Sequence, residues 1–347
     1  MSKTKDLTFK SFMNKVLAGT AQGTIIALIP NAVLSAILTY FDHIYIFEKT
    51  IQAAVIFQLA TPLIIGALIA KQFELNPMQI MITGGAAFVG SGVVKFNAEL
   101  GAYTGAGTGD VINIMITASV AVLMLLWLGQ KFGSSAIIAL PIVVGVGAGL
   151  IGIFTYPIVT QLTFAVGSLI NNFTELQPIV MSILISISFA ILIISPLTTV
   201  GIGLAIGLSG MSAGAAAMGV AATTIVLVVN SWKVNESGVT LAIALGGMKM
   251  MMPNLFKTPI ILVPVIFTAI VNGMMAAIFN VGGTPESAGF GLVGLVGPLA
   301  SLDAGLNIIL LISVWFVIPV ATALLSQFLF EKVMKLYERE IVFGYQG

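Results

Sequence analysis

The sequence predicts an all-α, polytopic membrane protein of about ten transmembrane helices, with re-entrant hairpins between some of them. Three observations carry this. Of its 347 residues, 58% are hydrophobic and only 8% charged, against about 25% charged in a soluble domain. Mean hydropathy is +1.11, and many apolar runs approach the ~20 residues that a helix needs to cross hydrocarbon. The 37 glycines gather around 84–109, 145–152, 201–219 and 282–297. Glycine is a poor residue for an ordinary helix interior, but in lipid it lets helices pack closely.

Lys3, Lys5, Lys10 and Lys15 precede the first apolar run, Val16 to Phe41. That run is long enough to span, and no short apolar core with a small-residue cleavage site is present, so no cleaved signal peptide is predicted. Residues 1–15, polar but carrying Leu7, Phe9 and Phe12, read as a short interfacial segment on the inner surface. Lys332, Lys335 and Arg339 follow the last run. The positive-inside rule then puts both termini, including a tail at 330–347, in the cytoplasm, with an even number of crossings. The spans are placed at 16–41, 51–70, 78–96, 111–130, 135–155, 157–171, 178–195, 214–230, 258–280 and 306–329, within one integral membrane domain covering 1–347. Lys71 and Lys131 follow the second and fourth spans, on the inner side by alternation.

Three segments do not read as spans. Residues 197–210 are apolar and Gly-rich but too short, and 237–252 reads as a re-entrant segment. The third, Val281-Gly282-Gly283-Thr284-Pro285-Glu286-Ser287-Ala288-Gly289-Phe290-Gly291, holds four glycines and a proline and lies between long apolar runs. A carboxylate there costs ~3 kcal/mol on insertion scales and marks a functional site by default. Irregular backbone at membrane depth persists only where protein buries it or a watery cavity receives it. Residues 281–300 are therefore read as a re-entrant hairpin presenting Glu286 to a polar solute; an extramembrane loop with a solvated glutamate is the alternative. A faint internal repeat is also visible, Thr61-Pro62-Leu63 before Gly84-Gly85-Ala86-Ala87, and Ser195-Pro196-Leu197 before Gly214-Ala215-Ala216-Ala217. Transporters are often built from such duplications.

Composition excludes several chemistries. There is no cysteine and a single histidine, His43, so disulfides, thiolate metal sites, a phosphocysteine and a multi-histidine metal site are ruled out, and no metal or cofactor is expected. A net charge of +1 without a basic patch speaks against nucleic acid. No P-loop, HExxH or nucleophile elbow occurs, so the chain carries no catalytic motif.

Four polar clusters remain. Asp110 and Asn113 are three apart and share a helix face; Asp110 reads equally as an N-cap or as a ligand for substrate or ion. Asn230 to Gly238, with Trp232, Asn235 and Glu236, has the mixture of ring, amide and carboxylate that a sugar site needs, and also the composition of a polar loop. Lys249, after Gly246-Gly247, reads as a topology anchor or as a partner of Glu236 or Glu286. The fourth cluster is Gly283 to Ser287 itself.

Length, Gly-rich polar breaks and these clusters resemble the membrane-embedded IIC components of bacterial sugar phosphotransferase systems, more closely the branch of the perfringolysin O regulator (PfoR) type. The resemblance rests on Gly105 to Asn113, Asn235-Glu236-Ser237-Gly238 and Gly282 to Gly291. In glucose-type IIC proteins a Gly-Ile-Thr-Glu-Pro motif supplies the sugar-binding glutamate. Gly283-Thr284-Pro285-Glu286 is similar, with the proline before the glutamate. The resemblance implies a homodimeric, elevator-like transporter of the bacterial cytoplasmic membrane, with a scaffold part and a moving part. It implies substrate contacts from Glu286, Glu236, Asn235, Asp110, Asn113 and Thr284. Phosphorylation would require separate cytoplasmic IIA and IIB proteins, or the branch has lost that coupling. An ion-coupled secondary transporter of a small metabolite, with Asp110 or Glu286 taking a proton, and a membrane-embedded ligand-sensing regulator are the other readings.

Overall fold

The computed structural model describes residues 8–128 and 131–345, without the side chains of residues 32, 33, 36, 37, 40 and 286. Lys3 and Lys5 lie outside the described residues. Apolar runs without water to bond their backbones pair their N–H and C=O groups within helices. The chain accordingly runs through α1 (Phe9–Leu38), α2 (Tyr45–Leu59), α3 (Thr61–Gln72) and α4 (Pro77–Gly90), then a hairpin of β1 (Val94–Asn97) and β2 (Ala102–Gly105). After α5 (Val111–Leu128), α6 (Ala136–Leu140) continues through a π turn into α7 (Gly147–Phe173). There follow α8 (Pro178–Ile194), α9 (Thr199–Ala205), α10 (Gly210–Ser231), α11 (Ser237–Ala244), α12 (Met252–Lys257) and α13 (Leu262–Ile278). The chain ends with α14 (Pro285–Phe290), α15 (Val296–Asp303), α16 (Ile308–Ile312), α17 (Ile318–Gln327) and α18 (Arg339–Val342).

Among the described residues, six helices are long and apolar enough to cross a membrane, and up to eight if each of two bent helix pairs is one span. The expected ten are reduced for identifiable reasons. The spans placed at 135–155 and 157–171 are one helix, continuous over Gly133–Phe173 with Pro157 inside it. Pro157 leaves the carbonyl of Ile153 without its usual helical donor, a loss that membrane helices tolerate. The span placed at 78–96 is α4, 14 residues and so about 21 Å long, followed by the antiparallel β hairpin. The segment at 51–70 is bent by 49° between α2 and α3, and 237–252 turns by 120° between α11 and Met248–Lys257. That reversal matches the re-entrant shape expected there.

The chain divides into two compact units, Met1–Leu34 with Phe41–Gln161, and Ser35–Tyr40 with Leu162–Gln346. In the first, Gly19 and Gly23 of α1 abut the backbone of Ile69 and Ile65 on α3, where an added Cβ would lie 2.5 and 2.6 Å from their Cα atoms. A second close crossing joins α4, α5 and α7. A Cβ on Gly90 or Gly152 would meet the other glycine's Cα at 2.8 or 2.7 Å. The buried Asn113 amide sits at this crossing and donates to the carbonyls of Gly90 (2.5 Å) and Gly152 (2.8 Å). Its Oδ1 accepts from Thr155 Oγ1 at 2.7 Å.

The second unit is built on α10, whose apolar window is 83% buried. Gly219 packs on Ser186 of α8, and Gly273 of α13 packs on Ser182 and Ile183 of α8. Hydroxyls and an amide then tie the helices together. Thr223 donates to Ala190 O, Ser186 to Ala269 O (both 2.8 Å) and Asn272 to Met218 O (3.0 Å).

Beyond the last span, residues 334–345 return to this unit as a strap. Phe343 and Val342 are buried. Asn254 of α12 donates to the carbonyls of Val342 (2.9 Å) and Gly344 (2.8 Å). Asn235 donates to Phe343 O (2.8 Å) and accepts from the Tyr345 N–H (2.7 Å). Tyr337 stacks edge-on against Phe343 at 5.6 Å, and its hydroxyl meets Asn230 Oδ1 at 3.4 Å. Burial, reinforced by the Glu331 carboxylate and opposed by Arg339, pushes the Tyr337 pKa from 10.0 up to about 12. The protonated phenol is thus favoured by folding. Its contribution to the strap is complete below pH 10 and is lost as pH rises through about 12.

Two variants test these fastenings. Asn113→Ala removes the amide that donates to the Gly90 and Gly152 carbonyls, which costs about 1–3 kcal/mol, and it should lower the melting temperature of the purified protein; an unchanged temperature would refute the role. Asn254→Ala should free the strap. A loss of about 2 kcal/mol raises its open population roughly thirtyfold, so trypsin should cut after Lys335 and Arg339 much faster than in the parent protein. Equal cleavage rates would show that the two carbonyls do not depend on Asn254.

Candidate functional site

The stretch with the strongest polar and glycine signal, 281–291, folds as an extended entry followed by the short helix α14. Thr284 is the N-cap of that helix. Its Oγ1 accepts from the Ser287 N–H at 3.2 Å, while Ser287 Oγ accepts from the Thr284 N–H at 2.8 Å. This reciprocal capping, with Pro285 at the first helical position, follows directly from Thr-Pro-Glu-Ser. Glu286 is the second residue of α14; its side chain lies outside the described residues.

The hairpin is embedded in the second unit by backbone contact. Gly283 and Gly210 exchange N–H to carbonyl hydrogen bonds, both 3.0 Å, at the start of α10. A Cβ on Gly214 would come within 1.8 Å of Val281 O, and one on Gly289 within 2.3 Å of Val200 N. Gly291 holds φ +57 against Val220, a conformation that glycine adopts without strain. The carbonyls freed in the hairpin find hydroxyls. Ser301 Oγ donates to Gly282 O at 2.8 Å, and Thr199 Oγ1 to Gly289 O at 2.9 Å. Irregular backbone is thus sheathed by protein on α9, α10 and α15.

The remaining predicted site residues divide between the units. Asp110 and Asn113 belong to the first. Asp110 Oδ1 accepts from the Asn113 N–H at 3.0 Å and so caps α5, and Asn113 spends its amide on the Gly90–Gly152 crossing. Asn235, Glu236, Thr284 and Glu286 belong to the second. Asn235 uses both ends of its amide on the strap and donates also to Ser231 Oγ at 2.7 Å. Glu236 is exposed at the start of α11, in the same loop as Trp232, itself 60% exposed.

One group was read too simply from sequence. Lys249 is neither at the surface nor ion-paired among the described residues. It is 8% exposed, and its ammonium donates to the carbonyls of Ser195 and Leu197, the latter at 2.8 Å. Ser195-Pro196-Leu197, between α8 and α9, could have signalled that need, because a proline break frees carbonyls. An open groove of about 810 Å³ lies beside the strap, lined in part by Glu331, Lys335, Glu338 and Glu340. Its volume suits a ligand, but no predicted site residue lines it. The hairpin, with its embedded irregular backbone, is the stronger candidate.

These features meet a known pattern over almost the full length of the chain. A family model described as "Phosphotransferase system, EIIC" matches residues 14–343. No curated protein and no solved structure matches the chain. The match takes in the 281–291 segment, the Gly-rich crossings and most of the strap, and on it the chain belongs to the EIIC family of the phosphotransferase system.

Proposed function

We propose that this protein is the membrane body of a carrier for a sugar or sugar-like solute, which it binds at the 281–291 hairpin with Glu286 as the principal hydrogen-bond acceptor. Membership of the EIIC family makes it a multi-pass membrane component of sugar transport. What supports the site is the hairpin's burial. Non-helical backbone inside an apolar region persists where protein encloses it or where it faces a solute, and the sequence places a carboxylate in it. An ionised carboxylate offers two oxygens and about four lone pairs, enough to accept from two neighbouring hydroxyls, and charge-assisted bonds are the stronger kind.

Around that acceptor the reading assigns supporting parts. Glu236, exposed beside Trp232, is the second carboxylate, and Thr284 holds the first turn of α14. Asp110, Asn113 and Asn235 act through position, as a cap, a crossing clamp and a strap clamp. The carrier works as an elevator and as a homodimer, in a bacterial cytoplasmic membrane with both termini inside. It receives phosphoryl groups, where it is coupled at all, from separate IIA and IIB proteins. The PfoR-type branch is part of the same reading.

A thermal-shift screen of purified protein against sugars, polyols, sugar acids and nucleosides tests it. A ligand at 100 times its Kd stabilises the folded state by about 2.7 kcal/mol, so a sugar should raise the melting temperature. Glu286→Gln should abolish that rise while keeping expression and the ligand-free melting temperature. A variant that keeps the sugar shift would remove Glu286 from the site. Silence for every sugar, with a shift from sodium or an organic anion, would favour the ion-coupled transporter.

A further inference from the structure

Helix α8 ends at Ile194, Pro196 has no N–H to offer, and α9 begins only at Thr199. The carbonyls of Ser195 and Leu197 therefore project from a broken helix, and both accept from Lys249 Nζ. Lys249 sits in the turn Met248–Met251, where the chain reverses by 120°. Helices α8, α10, α11 and α12 pack against this turn. The first three contain no charged residue, and α12 adds only Lys257, a second cation. Glu236, which precedes α11, is exposed. Among the described residues no carboxylate pairs with the buried ammonium. Its partners are peptide dipoles at the C-terminal end of α8, the end that carries partial negative charge.

Carbonyls at unwound backbone and half-helix C-termini are the groups with which membrane carriers hold small cations. We propose that the Ser195–Leu197 cradle is a monovalent-cation site that the chain fills permanently with its own Lys249 ammonium. The tethered cation satisfies both carbonyls and leaves no vacancy for sodium or potassium. A cradle emptied by truncating the side chain accepts a small alkylammonium or an alkali ion in its place. This does not rest on the sugar reading, and its test contains no sugar, so either can fail alone.

The experiment compares melting temperatures of the purified full chain and Lys249→Ala in choline, sodium, potassium and methylammonium chlorides at equal ionic strength. The parent protein should melt at one temperature in all four. Lys249→Ala should melt lower in choline and recover saturably in methylammonium or in one alkali ion. Lys249→Met, which keeps the stem's bulk but no donor, carries the same comparison where the alanine variant yields no folded protein. A sodium- or potassium-specific shift in the parent would overturn the proposal, because the site would then bind an external ion with Lys249 present. A folded variant indifferent to all four salts would overturn it as well.

Discussion

A carbonyl freed where a helix breaks has no water to turn to inside the hydrocarbon, and this chain answers its breaks with single side chains. Lys249 serves Ser195 and Leu197, Ser301 serves Gly282, and Thr199 serves Gly289. Where two glycines cross, Asn113 serves both of their carbonyls. Each such group left unmet would cost about 1–3 kcal/mol. Several together would exceed a good part of the 5–15 kcal/mol by which folded proteins typically persist. The broken segments are held by these donors, and the candidate site is one of those segments.

Short donors can do this only because the backbones come close, and glycine sets that distance. Serine, threonine and asparagine reach little beyond their own Cβ, so the helix carrying them must nearly touch the carbonyl they serve. Gly219 lies against Ser186, whose hydroxyl bonds Ala269, and Gly273 lies on Ser182 one turn away on the same helix. Gly214 leaves room for the carbonyl of Val281, which starts the hairpin. Packing by small residues and hydrogen bonding by short polar ones are thus one device.

This explains which parts of the structure could be read from the sequence. Helices, their apolar character and the reversal at 237–252 follow from composition and from local glycine and proline. Asp110 as a cap follows from spacing, while the cap role of Thr284 was not read from it. What could not be read is whatever depends on a partner remote in sequence. Asn113 looks like a ligand until Gly90 and Gly152 arrive on other helices, and Asn235 looks like a sugar contact until Phe343 and Tyr345 return to it. The spans expected at 135–155 and 157–171 are one helix, with Pro157 inside it. The hairpin at 94–105 escaped notice because its residues lie beside an apolar run that reads as helix.

The buried Lys249 and the proposed role of Glu286 bear on one question, the source of free energy for uptake. A carrier driven by an ion gradient needs a cation site that fills and empties in each cycle. A carbonyl cradle closed by a tethered ammonium cannot do so, since its occupant never leaves the chain. A carrier that traps its solute by phosphorylation inside the cell needs no such site, and an open one would add a leak. On the proposed readings, Lys249 would occupy an ion site that broken helices tend to create, and solute recognition would fall to charge-assisted hydrogen bonds to the Glu286 carboxylate. A carrier coupled to phosphoryl transfer would have no use for the open cation site that the proposed Lys249 occupancy closes.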